Sequence, residues 1–121
     1  MSNQLPTAQQ ILKQMEEKMG GVPRPLAIIA EINPDAVVEH AMNQQFLAKQ
    51  EQLPPKYKAL INVGVAAALG SETCTKNQVA MALKSGATRE EIVEALLCAK
   101  QTKSSTIFSA SLAGLELLVQ K

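Results

Sequence analysis

Apolar residues recur at three- and four-residue intervals between breaks marked by proline and glycine, a spacing that predicts a succession of helices. After Pro6-Thr7, the side chains of Ile11, Leu12 and Met15 share one face of a helix over residues 8–18, and Thr7 with Gln10 has capping-box spacing. Gly20-Gly21-Val22-Pro23 ends that helix, and Pro25 opens a short second one through Leu26, Ile28 and Ile29. Asn33-Pro34 is a sharp start signal, because asparagine caps a helix and proline is tolerated at its first position. Val37, Val38, Ala41, Met42 and Phe46 line the helix that follows.

Pro54-Pro55 turns the chain into a helix over residues 56–69, with Tyr57, Leu60, Ile61, Val65 and Ala68 as its expected buried stripe. Gly64 and the alanines at 66–68 leave room there for another backbone to approach. Gly70 stops this helix. The next is expected over residues 73–84, with Val79 and Leu83 on one face and Ser85-Gly86 at its end. Thr88 and Glu91 form the clearest capping box in the chain, and the apolar surface of Ile92, Val93, Leu96 and Leu97 carries that helix to about Lys100. Ser104 or Ser105 is expected to start the last helix, whose face of Ile107, Phe108, Leu112, Leu115, Leu118 and Val119, with Ser111, is buried or lies between subunits. No segment shows sustained period-two alternation with turn chemistry on both sides, so the expected fold is all-α, a compact bundle of about six helices.

Composition narrows the kind of core and of partner. A chain of 121 residues is expected to be a single domain that gains from subunit contacts. With 46% hydrophobic residues but 2% aromatic ones, its interior must be built from closely packed aliphatic and alanine surfaces. Twelve basic residues against eleven acidic ones, scattered without an arginine cluster, argue against a nucleic-acid partner. The longest apolar run, residues 63–70, is far short of a membrane span, and the start of the chain lacks the organisation of a secretion signal. The expectation is therefore a cytoplasmic protein without a membrane partner.

Candidate chemistry is sparse. In the stretch from Gly70 to Gln78, Cys74 stands near a helix start, where backbone amides and the neighbouring Lys76 favour a thiolate. Cys98, between Leu97 and Ala99, reads as a buried small hydrophobe, and a bridge to Cys74 requires packing that brings the two α-carbons within disulfide range. His40, beside Glu39, is an acid–base candidate or an interface residue. With one histidine and two distant cysteines, no metal site is expected, and no glycine-rich phosphate loop follows a strand, so no cofactor is expected either. Glu90, Glu91 and Glu94 read as a helix cap and solvated face, whereas Lys56 and Lys58 could attract an anionic substrate.

Several phrases together resemble the carboxymuconolactone decarboxylase superfamily, which includes the alkyl hydroperoxide reductase D-like proteins. They are Gly21-Val22-Pro23, Asn33-Pro34, the run from Leu53 to Ile61, Gly70 to Gln78, and Leu83 to Ala95. The resemblance covers roughly residues 21–97 and is stronger over 53–97, leaving residues 1–20 as an N-terminal helical extension. It implies an all-helical domain that assembles into trimers or hexamers, with active sites near subunit contacts. In the redox branch of the family, a C-x-x-C pair is followed by a histidine and assisted by a glutamate on the preceding helix. Carried onto this chain, the first cysteine falls at Ser71, the second at Cys74, the histidine at Gln78 and the glutamate near Ala59. The activity this implies is a thiol-linked oxidoreductase acting through Cys74 alone on a small-molecule or protein-thiol substrate. Ser71, Gln78 and His40 are its accessory candidates. A cofactor-independent lyase of the decarboxylase type and a non-catalytic helical oligomer are the alternatives.

Overall fold

The computed structural model describes residues 5–120, so the first four residues of the expected N-terminal extension lie outside the described part. Seven helices follow in order: α1 (Ala8–Met19), α2 (Arg24–Ile32), α3 (Pro34–Ala48), α4 (Pro55–Ala68), α5 (Glu72–Lys84), α6 (Arg89–Ala110) and α7 (Leu112–Leu118). The described residues contain no strand, and the fold is all-α as the periodicity predicts. Contacts group the chain into two compact units, Met1–Glu51 and Gln52–Lys121.

In the first unit, α3 packs on α2 and α1. Its core joins Ile11 of α1, Ala30 of α2, and Val37 and Ala41 of α3, with Leu12, Met15, Val38 and Met42 packed around them. Thr7 caps α1 through the expected box: its Oγ1 accepts from the Gln10 N–H at 3.2 Å, and the Gln10 side chain accepts from the Thr7 N–H at 2.8 Å. Pro34 takes the first position of α3, where a missing N–H leaves no bond unmade.

The second unit is organised around α4, which packs against both α5 and α6. Ala59 and Val63 of α4 meet Ala82, Ala87 and Ile92 in its core, and Leu60, Val79 and Leu96 pack against that cluster. The buried stripe of α4 is thus Ala59, Val63 and Ala66. The expected Tyr57, Ile61 and Val65 are each about half exposed. α4 is apolar on more than one face, so periodicity alone offers two stripes. The narrow one faces the core because α5 and α6 approach closely. A Cβ placed on Gly64 would stand 3.4 Å from the Ala99 Cβ and 3.5 Å from the Ala95 carbonyl, which shows how little space separates α4 from α6.

A second difference lies in α6, which runs for 22 residues through Ser104 and Ser105, where a new helix was expected to begin. No glycine or proline interrupts residues 89–110. The hydroxyls are absorbed by the helix itself: Ser105 donates to the Gln101 carbonyl at 3.1 Å and Thr106 to the Lys103 carbonyl at 2.6 Å. Such back-bonding satisfies a serine without a cap. The break falls instead at Ser111, after which α7 adds seven residues, none of them buried.

Candidate functional site

The turn between α4 and α5 builds the site. Gly70 has φ +76°, a left-handed conformation that side-chain-bearing residues rarely adopt, and it lets two reversed hydrogen bonds close the helix end. The Gly70 N–H donates to the Ala67 carbonyl at 3.0 Å, and the Ser71 N–H to the Ala66 carbonyl at 3.1 Å. Ser71 then serves as the N-cap of α5, its Oγ accepting from the Cys74 N–H at 3.3 Å. Its carbonyl accepts from both the N–H and the hydroxyl of Thr75, at 3.0 and 2.6 Å. One residue therefore ends α4 and starts α5.

This arrangement holds Cys74 in the first turn of α5 with a free, solvent-exposed thiol. Gln78, one turn further along, is half-buried, as is Ser71. Positions 71, 74 and 78 lie at helical intervals of three and four, so the three residues fall along one side of the start of α5. His40 is an exposed residue of α3 and belongs to the first unit. Ala59 is buried in the core of the second unit. Ala59, near which the resemblance to the redox branch places a glutamate, offers only a methyl group packed among aliphatic side chains.

Lys56 does not stand open to an anion. Its ammonium lies 3.0 Å from a Glu91 carboxylate oxygen and 5.4 Å from the centre of the Tyr57 ring. Glu91 also accepts from the Thr88 N–H at 2.9 Å, while the Thr88 hydroxyl accepts from the Glu91 N–H at 3.0 Å. The cap of α6 is thereby tied to the first turn of α4. The Thr88 N–H, followed by Lys56, holds the Glu91 carboxyl below its ordinary value of 4.5, and Glu91 in turn raises the Lys56 ammonium above 10.5. A carboxyl lowered by folding stabilises the native state fully above its unfolded value, and that contribution is lost as pH falls through the folded value. The melting temperatures of the wild type and Glu91→Gln should therefore differ at neutral pH and converge as pH falls below the ordinary value of 4.5 and through the lowered one, with Lys56 charged throughout. A difference that persists at low pH would assign the effect of the substitution to something other than this carboxylate's charge.

Cys98 is also free and exposed, not the buried hydrophobe expected from its neighbours. It lines an apolar groove of about 590 Å³ between α4 and α6, together with Ile61, Val65, Thr102 and Lys103. Lys103 reaches across to donate to the Ala68 carbonyl at 2.6 Å, supplying a partner to the C-terminal end of α4. Sequence reasoning passed over Thr102 and Lys103. The signal was present in the spacing of Ala95, Cys98, Ala99, Thr102 and Thr106, which marks one face of α6 opposite Gly64.

Residues 34–116 match the carboxymuconolactone decarboxylase family, a stretch running from the start of α3 into α7, and the chain belongs to that family. No curated protein matches it. No helix among the described residues is long and apolar enough to cross a membrane. Among those residues, no group of three or more histidine, cysteine or acidic side chains is placed to hold a metal ion.

Proposed function

We propose that the chain is a thiol-linked oxidoreductase of this family that works through one sulfur, that of Cys74. The observation that carries this reading is a free, accessible thiol fixed in the first turn of α5 by the Gly70–Ser71 turn. The reaction that suits a single thiol is exchange. The Cys74 thiolate attacks one sulfur of a disulfide, forming a mixed disulfide and expelling the other sulfur as a thiolate. A second thiol, from a small molecule or a protein, then attacks the mixed disulfide. It leaves joined to the substrate fragment and returns Cys74 to its reduced state. One S–S bond is broken and one formed in each step, so no further oxidant or cofactor is needed. Gln78, one turn along, can donate to or accept from the bound substrate without exchanging protons.

Glutathione disulfide is a sufficient probe. After brief incubation of the reduced protein, intact mass followed by peptide mapping should place a glutathione adduct on Cys74, and added free glutathione should remove it. Labelling confined to Cys98, or no adduct where an unfolded control forms one readily, would reject the proposal.

A further inference from the structure

The last four carbonyls of α4 find no partner within the helix, and three of them are taken up by the chain that follows directly. The Val65 carbonyl accepts from the Leu69 N–H at 3.0 Å, and those of Ala66 and Ala67 accept from Ser71 and Gly70 of the turn. The fourth, of Ala68, accepts from the Lys103 ammonium, 35 positions away in sequence, at 2.6 Å. It is the one bond of this set that ties the end of α4 to another helix.

Lys103 lies inside α6, which runs unbroken over residues 89–110, and its charge sits at a helix C-terminal end, where a cation is favoured. The start of α5 has little other support: the buried residue of that helix is Ala82, eight positions beyond Cys74. Ser71 both closes the α4 turn and caps α5, and Ala68 stands only three positions before it. An opening at the Ala68 carbonyl therefore acts on the first turn of α5. All these residues belong to the second unit, so no other part of the molecule enters this set of contacts.

We infer that Lys103 is a positioning residue for Cys74: its bond to the Ala68 carbonyl holds the Gly70–Ser71 turn closed and keeps the thiol in an ordered first turn of α5. That role rests on the reading of Cys74 as the reacting sulfur. Cys74 is already exposed, so loosening the turn adds no access. It takes away the oriented amides of the first turn, which favour negative charge at a helix start and with it an attacking thiolate.

Lys103→Met keeps the length of the side chain and removes its donors, whereas Lys103→Arg keeps both charge and donors. Hydrogen exchange over residues 69–75, read by mass spectrometry, should quicken about threefold or more in Lys103→Met and stay near the wild-type rate in Lys103→Arg. Alkylation of Cys74 by iodoacetamide, located by peptide mapping, should slow about threefold in the methionine variant and recover with arginine. Exchange over residues 59–63 should be equal in all three proteins, and quickening there too would make Lys103 a support of the whole unit and overturn the inference. Unchanged exchange over residues 69–75 overturns it as well, as does quickened exchange with an unchanged Cys74 rate, or an arginine variant that behaves like the methionine one. Iodoacetamide needs only a nucleophilic thiol. A Cys74 that is alkylated in the expected pattern but never takes up glutathione from its disulfide would reject the exchange reaction and leave the role of Lys103 standing.

Discussion

Replacing Cys74 by serine should slow disulfide exchange by about a hundredfold or more, because a hydroxyl cannot stand in for a thiolate as nucleophile or form a mixed disulfide. Cys98→Ala should leave the rate within about twofold in the same assay, since a thiol outside the reaction contributes nothing to its transition state. The comparison is clean for a structural reason. The bond between Ser71 and residue 74 uses the backbone N–H of Cys74, so serine at that position keeps the cap and the start of α5. Loss of rate in Cys74→Ser would thus report chemistry rather than local unfolding. Equal rates in the wild type and both variants would mean that neither sulfur carries the reaction, and the non-catalytic reading would then stand.

Val63→Asp should destabilise the second unit by about 4 kcal/mol or more, the scale of burying a charge without a partner. Val63 is fully buried among Ala59, Ala82, Ala87 and Ile92, none of which offers the carboxylate a side-chain hydrogen-bond donor. The expected fall in thermal midpoint is roughly 15 °C or greater. Val93→Asp is the matched control. Val93 is 55% exposed near the start of α6, where an acidic residue is tolerated, and its substitution should cost about 1 kcal/mol at most. Similar losses in the two variants would show that the core of α4 does not face α5 and α6 in solution as described above.

Local signals read from the sequence were strongest where backbone chemistry allows few solutions. The Thr7–Gln10 and Thr88–Glu91 boxes, proline at the start of α3 and α4, and the left-handed glycines at positions 70 and 86 all do what their types demand. Ser104 and Ser105 were less informative, because a serine hydroxyl can bond to a carbonyl of its own helix as well as cap a new one. Tyr57, Ile61 and Val65 misled for another reason. Hydrophobicity ranks large side chains first, whereas a helix pressed between two neighbours buries its smallest face, here Ala59, Val63 and Ala66. The start of α5 was legible as a candidate site because Gly70, Ser71 and Cys74 are close in sequence. The groove beside Cys98 was not, because it exists only when residues some forty positions apart on α4 and α6 come together.

The double duty of Ser71 bears on which side chain its position can hold. A cysteine at that position would supply the companion thiol that Cys74 lacks, but it would also remove the hydroxyl that caps α5, and an N-cap of this kind is worth about 1 kcal/mol. At position 71, serine favours the helix start and cysteine the dithiol, and one side chain cannot supply both.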